Sequence, residues 1–297
     1  MDIVVYIMLI VGIIIMVSNI WRYIIFLRST QDVLSSGNKK ADIWKYVALT
    51  LLIFFLCGYI NVAIMYKPGL MVAGILFGGS IFVAIMLTNM FKLIGHTKER
   101  SIDISEVLIG VIEARDPNLN GHSRHVQELT MLIYANLPSQ KKKQLNPVSL
   151  EYAALMHDVG KLGVPEKILL KPAKLSEDEW IIMRKHPKIG VKILKPLKSF
   201  DDIQSWIMYH HERIDGHGYY GLKSNEIPYA SKIIAIADTY SAITMKRSYK
   251  PEKTHEEAIE IIKSVAGTQL DAELVDIFCS IPKKKVTACS PEIVTII

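Results

Sequence analysis

Three long apolar runs near the N-terminus constrain the fold more than any other feature of this sequence. They cover approximately residues 3–27, 43–66 and 70–91. Each run reaches the roughly 20 residues that a helix needs to cross a bilayer. The runs carry few charges and show no amphipathic period, which argues against buried core helices. The first run also lacks the preceding basic stretch of a signal peptide. We therefore predict a three-helix transmembrane region over residues 1–94.

The positive charges beside these runs predict the orientation of the chain in a cell membrane. Arg28, Lys39 and Lys40 separate the first two runs, whereas only "YKPG" separates the second and third. Lys92 and Lys98 follow the third run. Basic loops stay on the cytoplasmic side of a membrane. We expect a multi-pass protein in contact with the lipid bilayer, with its N-terminus outside and the rest of the chain in the cytoplasm.

The sequence after the apolar region is typical of an all-α domain. We predict a helical linker at 95–105, a helical domain at 106–285 and a weakly ordered tail at 286–297. The segment "IDISEVLIGVIEARD" shows helical spacing, and its apolar positions predict one buried face: Ile104, Val107, Leu108, Val111 and Ile112. Whether these helices pair across a homodimer stays an open question, because the periodic stretch is too short to predict a coiled coil.

Charge and cysteine usage exclude several classes of function. Of the net charge of +6, four units lie in residues 1–94 (seven Lys/Arg and three Asp/Glu), which leaves a nearly balanced domain. A balanced domain argues against binding of polymeric nucleic acid. The three cysteines, Cys57, Cys279 and Cys289, lack the spacing of a metal site or a disulfide framework.

Histidines concentrate in the middle of the domain. Seven of the nine lie between His122 and His217. Two occur as neighbours in "HHERIDGHGYY", from His210 to Tyr220, and another opens "HDVGK" at His157. Each alone is explained equally well by a hydrogen-bonded histidine at a helix end. The carboxylate of Asp238 lies in an apolar helical segment, and a buried charge of this kind needs a cation.

The combination is more informative than its parts. Five imidazoles and two carboxylates offer nitrogen and oxygen ligands without thiolate, which favours Fe or Mn over a structural zinc. Seven ligands exceed what one ion in an open site needs. Two ions about 3.5–4 Å apart would use them, and that arrangement suits phosphoester hydrolysis.

These motifs resemble the HD-GYP subgroup of the HD-domain phosphohydrolases over about residues 103–280. The resemblance implies hydrolysis of cyclic di-GMP at a centre of two or three divalent ions, with Asp158 and Lys161 as catalytic residues. Asp158 would bridge the ions, and Lys161 would lie beside a bridging hydroxide and a phosphate oxygen. The implied metal ligands are His122, His157, Asp158, His186, His210, His211 and Asp238. The implied substrate-binding residues are Arg247, Lys250, Gly216, Gly218, Tyr219 and Ser241.

Three positions depart from the usual residues of that subgroup. Tyr220 replaces the proline of the signature, which we expect to loosen the loop. Ser241 replaces a second aspartate associated with the guanine base, so that base recognition weakens. His125 stands where arginine is common, and we interpret it as a helix-surface residue or one behind the ligands. These departures leave two alternatives open, namely hydrolysis of another cyclic dinucleotide or nucleotide phosphoester, and a catalytically weak receptor.

Overall fold

The computed structural model of the chain describes residues 2–29, 39–65, 69–116, 120–245 and 252–289. The chain divides into two compact units, residues 1–100 and residues 101–297. The described ranges contain helices and no strand, with one isolated bridge between Ala266 and Leu270. The predicted all-α class, with three apolar helices ahead of a helical domain, is thus confirmed for these ranges.

The first unit is built from apolar helices. They are α1 (Asp2–Ser29), α2 (Lys39–Met65) and the first part of α3 (Leu70–Arg115). Their apolar stretches Ile3–Leu27, Tyr46–Ile64 and Leu70–Leu93 contain 25, 19 and 24 residues, enough for each to cross a membrane. Large apolar side chains such as Phe54, 70% exposed, face outward. An apolar outer surface is the pattern of helices that lipid surrounds.

Polar residues within these helices find partners on a neighbouring helix. The buried amide of Asn19 donates to the carbonyl of Ser80 at 3.3 Å. Arg22 donates to the hydroxyl of Thr88 at 3.1 Å. An apolar environment leaves such groups no water to bind, so contacts of this kind hold α1 against α3.

The second unit packs its helices around one apolar core. After the end of α3, its helices are α4 (His122–Asn136), α5 (Ser139–Lys142), α6 (Pro147–Met156), α7 (Glu166–Leu169), α8 (Glu177–Met183), α9 (His186–Leu194), α10 (Gln204–Met208), α11 (Tyr229–Thr244), α12 (His255–Ser264), α13 (Ala272–Ser280) and α14 (Lys283–Val286). Two 3₁₀ turns, Val159–Gly163 and Lys198–Ile203, connect them. Fully buried side chains of α4, α6 and α11 meet in the core, among them Leu129, Leu150 and Ile234.

Local sequence explains where the central helix α6 begins. The side chain of Asn146 accepts hydrogen bonds from the amides of Val148 and Ser149, at 2.9 and 3.1 Å. Pro147 follows at the first helical position, where a missing N–H costs nothing. The helix then runs for 10 residues and ends directly before His157. The cap therefore fixes the register that brings the histidine to the helix end.

The structure differs from the sequence prediction at both ends of the second unit. In the last turns of α3, Val107 and Val111 are 66% and 50% exposed, whereas Ile109 and Ile112 are buried. The predicted face was right for Ile112 and Leu108, which pack on the core, and wrong for Val107 and Val111. Spacing alone did not single out the buried stripe because apolar residues lie on several sides of this helix. At the C-terminus Val286 is fully buried, so the tail predicted from residue 286 begins as packed structure.

Candidate metal centre

Helix ends bring the candidate ligands together. His122 is the first residue of α4, and His186 is the first residue of α9. His157 and Asp158 follow the end of α6, while the pair at 210–211 follows α10. Asp238 lies in the middle of α11. Side chains from five separate segments thus meet at one place in the domain.

Asp158 joins two groups of candidate ligand atoms. One group contains Asp158, His186, His210 and His211, and the other contains Asp158, His122 and His157. Within each group the atoms lie within 4.8 Å of one another. Oδ1 of Asp158 is 3.3 Å from His186 Nε2, and Oδ2 is 3.3 Å from His157 Nε2. The two oxygens of this carboxylate therefore face different groups.

Asp238 lies within about 4 Å of histidines from both groups. Its Oδ1 lies 3.3 Å from His122 Nε2 and 4.0 Å from His157 Nε2. Its Oδ2 lies 4.0 Å from His211 Nδ1. All seven side chains of the proposed ligand set consequently surround a single centre with two carboxylates between the imidazoles.

Backbone carbonyls orient three of the imidazoles. In each case Nδ1 lies within hydrogen-bond distance of the carbonyl three residues earlier in the chain. The pairs are His157 with Ala154 at 2.7 Å, His186 with Met183 at 2.9 Å, and His210 with Ile207 at 2.6 Å. A carbonyl only accepts, so Nδ1 carries the hydrogen and Nε2 keeps its lone pair. This arrangement prepares Nε2 to bind a metal.

The buried polar atoms of this centre fit a cation. Atoms without a hydrogen-bond partner include His122 Nε2, His157 Nε2 and Asp158 Oδ1. All three residues are at most 3% exposed, so water does not reach them freely. Unpaired buried atoms of this kind are costly, and a metal ion would give each a partner. The nitrogen and oxygen donors suit a divalent transition metal.

The electrostatic environment favours the protonation states that bind metal for most of these groups, and His157 is the exception. Burial lowers the pKa of His211 to about 3 and holds that of His210 well below its usual value. Burial opposes ionisation of Asp158, but the nearby Lys161 and His157 lower its pKa well below the usual range. Burial likewise opposes the charge on His157, and Asp158 outweighs it and raises the pKa. At neutral pH the centre thus presents carboxylates and at least two neutral imidazoles.

Lys161 places a positive charge at the edge of the centre. Its Nζ donates to Asp158 Oδ2 at 2.6 Å, and its side chain is 17% exposed. The residue lies in the 3₁₀ turn Val159–Gly163, which packs against α9. A cation at this position can meet an anionic group that approaches the centre from solvent.

A buried glutamate fastens the glycine-containing loop beside the centre. Glu212 is 5% exposed and accepts hydrogen bonds from the amides of Tyr220, at 2.7 Å, and Leu222, at 2.8 Å. Gly216 has a φ of 79°, and a Cβ on Gly218 would lie 2.6 Å from Glu212 Cα. Both positions therefore require glycine. We expected Tyr220 to loosen this loop. Instead, its amide, which a proline would lack, helps to hold the loop through Glu212.

A cavity of about 330 Å³ opens next to the ligands and this loop. The ring of Tyr219 lies at its edge, with its centroid 4.6 Å from that of His211. Arg213 also lines the cavity and donates to Gln269 Oε1 at 3.4 Å. The size falls in the range of small-molecule sites. Other lining residues are Asp238, Thr239, Ala242 and Leu270.

The remaining sequence-predicted residues lie in three different places. Gly216, Gly218 and Tyr219 form the loop beside the cavity. Ser241 is fully buried, and its hydroxyl faces two histidines. Arg247 and Lys250 lie outside the described residues.

Sequence reasoning missed Glu212 and left two alternatives open for His125, of which the structure supports a place behind the ligands. Glu212 was passed over, although a glutamate directly after two histidines, ahead of a glycine-rich turn, is a signal for a buried carboxylate. His125 is 4% exposed and does not lie on the helix surface. Its place three residues after His122, on the same face of α4, was the available signal.

Comparison with known proteins identifies the fold around this centre. The HD domain family matches residues 106–274, more than half of the chain. The chain belongs to the HD-domain family. The HD-GYP type predicted from the motifs is likewise confirmed by the curated relatives of this HD domain.

Three relatives show how far the similarity extends. A probable cyclic di-GMP phosphodiesterase of Vibrio cholerae is 35% identical over 64% of this chain and 46% of its own length. A cyclic di-GMP phosphodiesterase of Thermotoga maritima is 36% identical over 61% of this chain and 50% of its own length. A 3′3′-cGAMP-specific phosphodiesterase of Vibrio cholerae is 35% identical over 55% of this chain and 35% of its own length. The chain thus spans about half the length, or less, of these relatives.

Proposed function

We propose that this chain is a metal-dependent phosphodiesterase that hydrolyses a cyclic dinucleotide, with cyclic di-GMP as the first candidate. The observation that carries the proposal is the meeting of two ligand groups at Asp158, with Lys161 and an open cavity beside them. The proposal also agrees with the relatives, which are named as phosphodiesterases of cyclic dinucleotides.

The residues of the chain have separable roles in this reaction. Two divalent ions, with iron or manganese best suited to the donors, would supply an activated water and neutralise charge on the phosphoryl oxygens. His122 and His157 would hold one ion, His186, His210 and His211 would hold the other, and Asp238 would be a further ligand. Asp158 bridges both groups. A third ion is not required by the ligands described here.

Positioning of the substrate falls to residues at the edge of the centre. Lys161 would pair with a phosphate oxygen, because its Nζ already lies beside the bridging carboxylate. The ring of Tyr219 covers His211 and would exclude water from one side of the bound phosphodiester. Arg247 and Lys250 remain proposed phosphate contacts from the resemblance alone.

A second substrate, which differs in its bases, has an observation in its favour. Ser241 does not line the cavity and lacks the carboxylate associated with guanine. Relatives specific for 3′3′-cGAMP are 33–35% identical to this chain. A mixed guanine–adenine dinucleotide is therefore the second candidate substrate.

The membrane arrangement is part of the same proposal. The three apolar helices would anchor the chain in the cell membrane, with the N-terminus outside and the HD domain in the cytoplasm, as the basic residues beside them indicate. A homodimer stays a prediction. Light scattering of the purified chain in detergent measures its mass directly.

The test uses the full chain purified in detergent and loaded anaerobically with Mn²⁺ or Fe²⁺. We expect metal-dependent hydrolysis of cyclic di-GMP to its linear dinucleotide, at least tenfold faster than hydrolysis of cyclic di-AMP. Asp158→Asn should abolish turnover. His217→Ala is the matched control, because that histidine lies in the same loop with an 83% exposed side chain and should have no effect.

Each other result assigns a different function. Turnover of 3′3′-cGAMP with little of cyclic di-GMP would establish the second substrate. Tight binding of a dinucleotide without turnover would indicate a receptor. Turnover that survives Asp158→Asn would contradict the proposed centre.

A further inference from the structure

His122 differs from its neighbours in what holds its ring. The Nδ1 atoms of His157, His186 and His210 face backbone carbonyls, whereas Nδ1 of His122 faces the hydroxyl of Ser241 at 2.9 Å. A carbonyl forces a hydrogen onto Nδ1, but a hydroxyl both donates and accepts. The hydroxyl alone therefore does not decide which nitrogen of His122 keeps the lone pair.

A second histidine shares the same hydroxyl. Nδ1 of His125 lies 3.0 Å from Ser241 Oγ, on the side away from the ligand centre. Ser241 has one hydrogen for two neighbouring nitrogens. If the hydroxyl donates to one imidazole, the other imidazole donates its own hydrogen to Oγ, and the state of His125 decides the direction.

The surroundings of His125 fix its state. Burial lowers its pKa to about 4, so the ring is neutral near pH 7 and carries one hydrogen. The backbone of Cys289 opposes that shift and raises the pKa, which is the effect of a carbonyl acceptor beside the ring. Because Nδ1 faces Ser241, the contact with Cys289 falls to Nε2. That nitrogen carries the hydrogen, and Nδ1 of His125 accepts.

We propose that Ser241 and His125 are positioning residues that set the ring of His122 for metal binding. The hydrogen bonds run in one direction. His125 donates through Nε2 to Cys289 and accepts at Nδ1 from Ser241. Ser241 Oγ then accepts from Nδ1 of His122, which leaves Nε2, 3.8 Å from Asp158 Oδ2 and 3.3 Å from Asp238 Oδ1, to bind an ion held between these groups. The inference rests on the metal centre of the proposed function.

Burial makes this chain of hydrogen bonds difficult to replace. Ser241, His122 and His125 are 0%, 1% and 4% exposed, so bulk water does not substitute for a lost partner. The competing acceptor for the serine hydrogen is the sulfur of Met245, at 3.2 Å. A thioether is a weak acceptor, so the imidazole nitrogen takes the hydrogen.

The two departures from the usual residues of the subgroup are thus direct partners. Ser241 and His125 replace an acidic and a basic residue, and here they form one neutral hydrogen-bonded pair. This contact reassigns Ser241 from the substrate to the support of a metal ligand.

Metal affinity tests the proposal without a turnover assay. The full chain in detergent is stripped with a chelator, and Mn²⁺ binding is measured from the free-ion signal in electron paramagnetic resonance. Partners that hold a metal ligand usually contribute about 10–100-fold to affinity. We expect Ser241→Ala to weaken Mn²⁺ binding about tenfold or more. Ser241→Thr keeps a hydroxyl and should recover most of the loss.

Ser231→Ala is the matched control. Ser231 lies on the same helix α11, is fully buried, and donates to the carbonyl of Trp206 at 2.9 Å without contact to a ligand. Its replacement should leave Mn²⁺ affinity within about twofold of the unaltered chain. An equal loss in both variants would show a general effect of helix packing and would overturn the proposal.

Ring tautomers give an independent readout. In metal-free chain with ¹⁵N-labelled histidine, long-range ¹H–¹⁵N spectra should show the hydrogen on Nε2 of His125. A hydrogen on Nδ1 of His125, or unchanged Mn²⁺ affinity in Ser241→Ala, would overturn this inference but not the proposed function. Absence of Mn²⁺ binding in the unaltered chain would overturn the proposed function with it.

Discussion

The backbone carbonyl of His186 occupies the space where residue 160 would carry a side chain. A Cβ on Gly160 would collide with that oxygen and with the amide of Gly190, which lies 2.4 Å from the Cβ position. The 3₁₀ turn that follows Asp158 therefore packs directly on the first turn of α9. One backbone contact holds two of the candidate ligands at a fixed separation.

Gly160→Ala should separate these ligands. We expect a loss of about 1–3 kcal/mol in unfolding free energy, typical of overpacking, and weaker Mn²⁺ binding. Thermal unfolding and metal titration of the full chain measure both. Gly163→Ala is the control in the same turn, because its Cβ would meet only the side chain of Ile189, which can move. Equal behaviour of the two variants would show that the contact at Gly160 is unimportant.

Glu212→Ala should release the loop that carries Tyr219. The substitution leaves the amides of Tyr220 and Leu222 without their acceptor, at about 1–3 kcal/mol for each buried group. We expect faster proteolysis of the loop and a turnover at least tenfold lower. Glu226→Ala, which removes an exposed acceptor for the amide of Lys223, should change neither. A rigid, active Glu212→Ala variant would refute this role.

Replacing Ser241 and His125, the neutral pair behind His122, with a charged pair tests whether the two side chains are coupled. Ser241→Asp or His125→Arg alone places an unpaired charge in a buried site, which we expect to destabilise the fold by about 3 kcal/mol or more. The double variant pairs the charges and should recover more than half of either loss. Unfolding free energies of the four proteins give the coupling energy. Strictly additive losses would show that the two side chains act independently.

Metal removal should destabilise the HD domain. Bound Mn²⁺ would supply partners to the unpaired atoms of His122, His157 and Asp158. A ligand at a hundred times its Kd contributes about 2.7 kcal/mol, so saturation with Mn²⁺ should raise the unfolding temperature by roughly 5 °C or more. Calorimetry with and without a chelator measures the change. A chelator effect that persists in Asp158→Asn would place the stabilising ion elsewhere.

Sequence was sufficient for the features that depend on residue type along the chain. Apolar length predicted three helices long enough to cross a membrane, and the histidine and aspartate motifs predicted the side chains that meet around Asp158. The buried face of α3 was mispredicted because Val107 and Ile109 are equally apolar, and only packing decides between them. The link between His122 and Ser241 joins residues 119 positions apart, and no local pattern encodes such a contact. The role of Tyr220 likewise required the folded structure, because only the folded loop brings its amide to Glu212.

The central claim is that seven side chains jointly hold a pair of ions that act together on a phosphodiester. Its most direct test is the rate of cyclic dinucleotide hydrolysis as a function of Mn²⁺ bound per full chain, with bound metal measured in the same samples. We predict little turnover up to one ion per chain and a steep rise as the second ion binds. Full turnover at one ion per chain, or none at two with either cyclic di-GMP or 3′3′-cGAMP, would contradict the account.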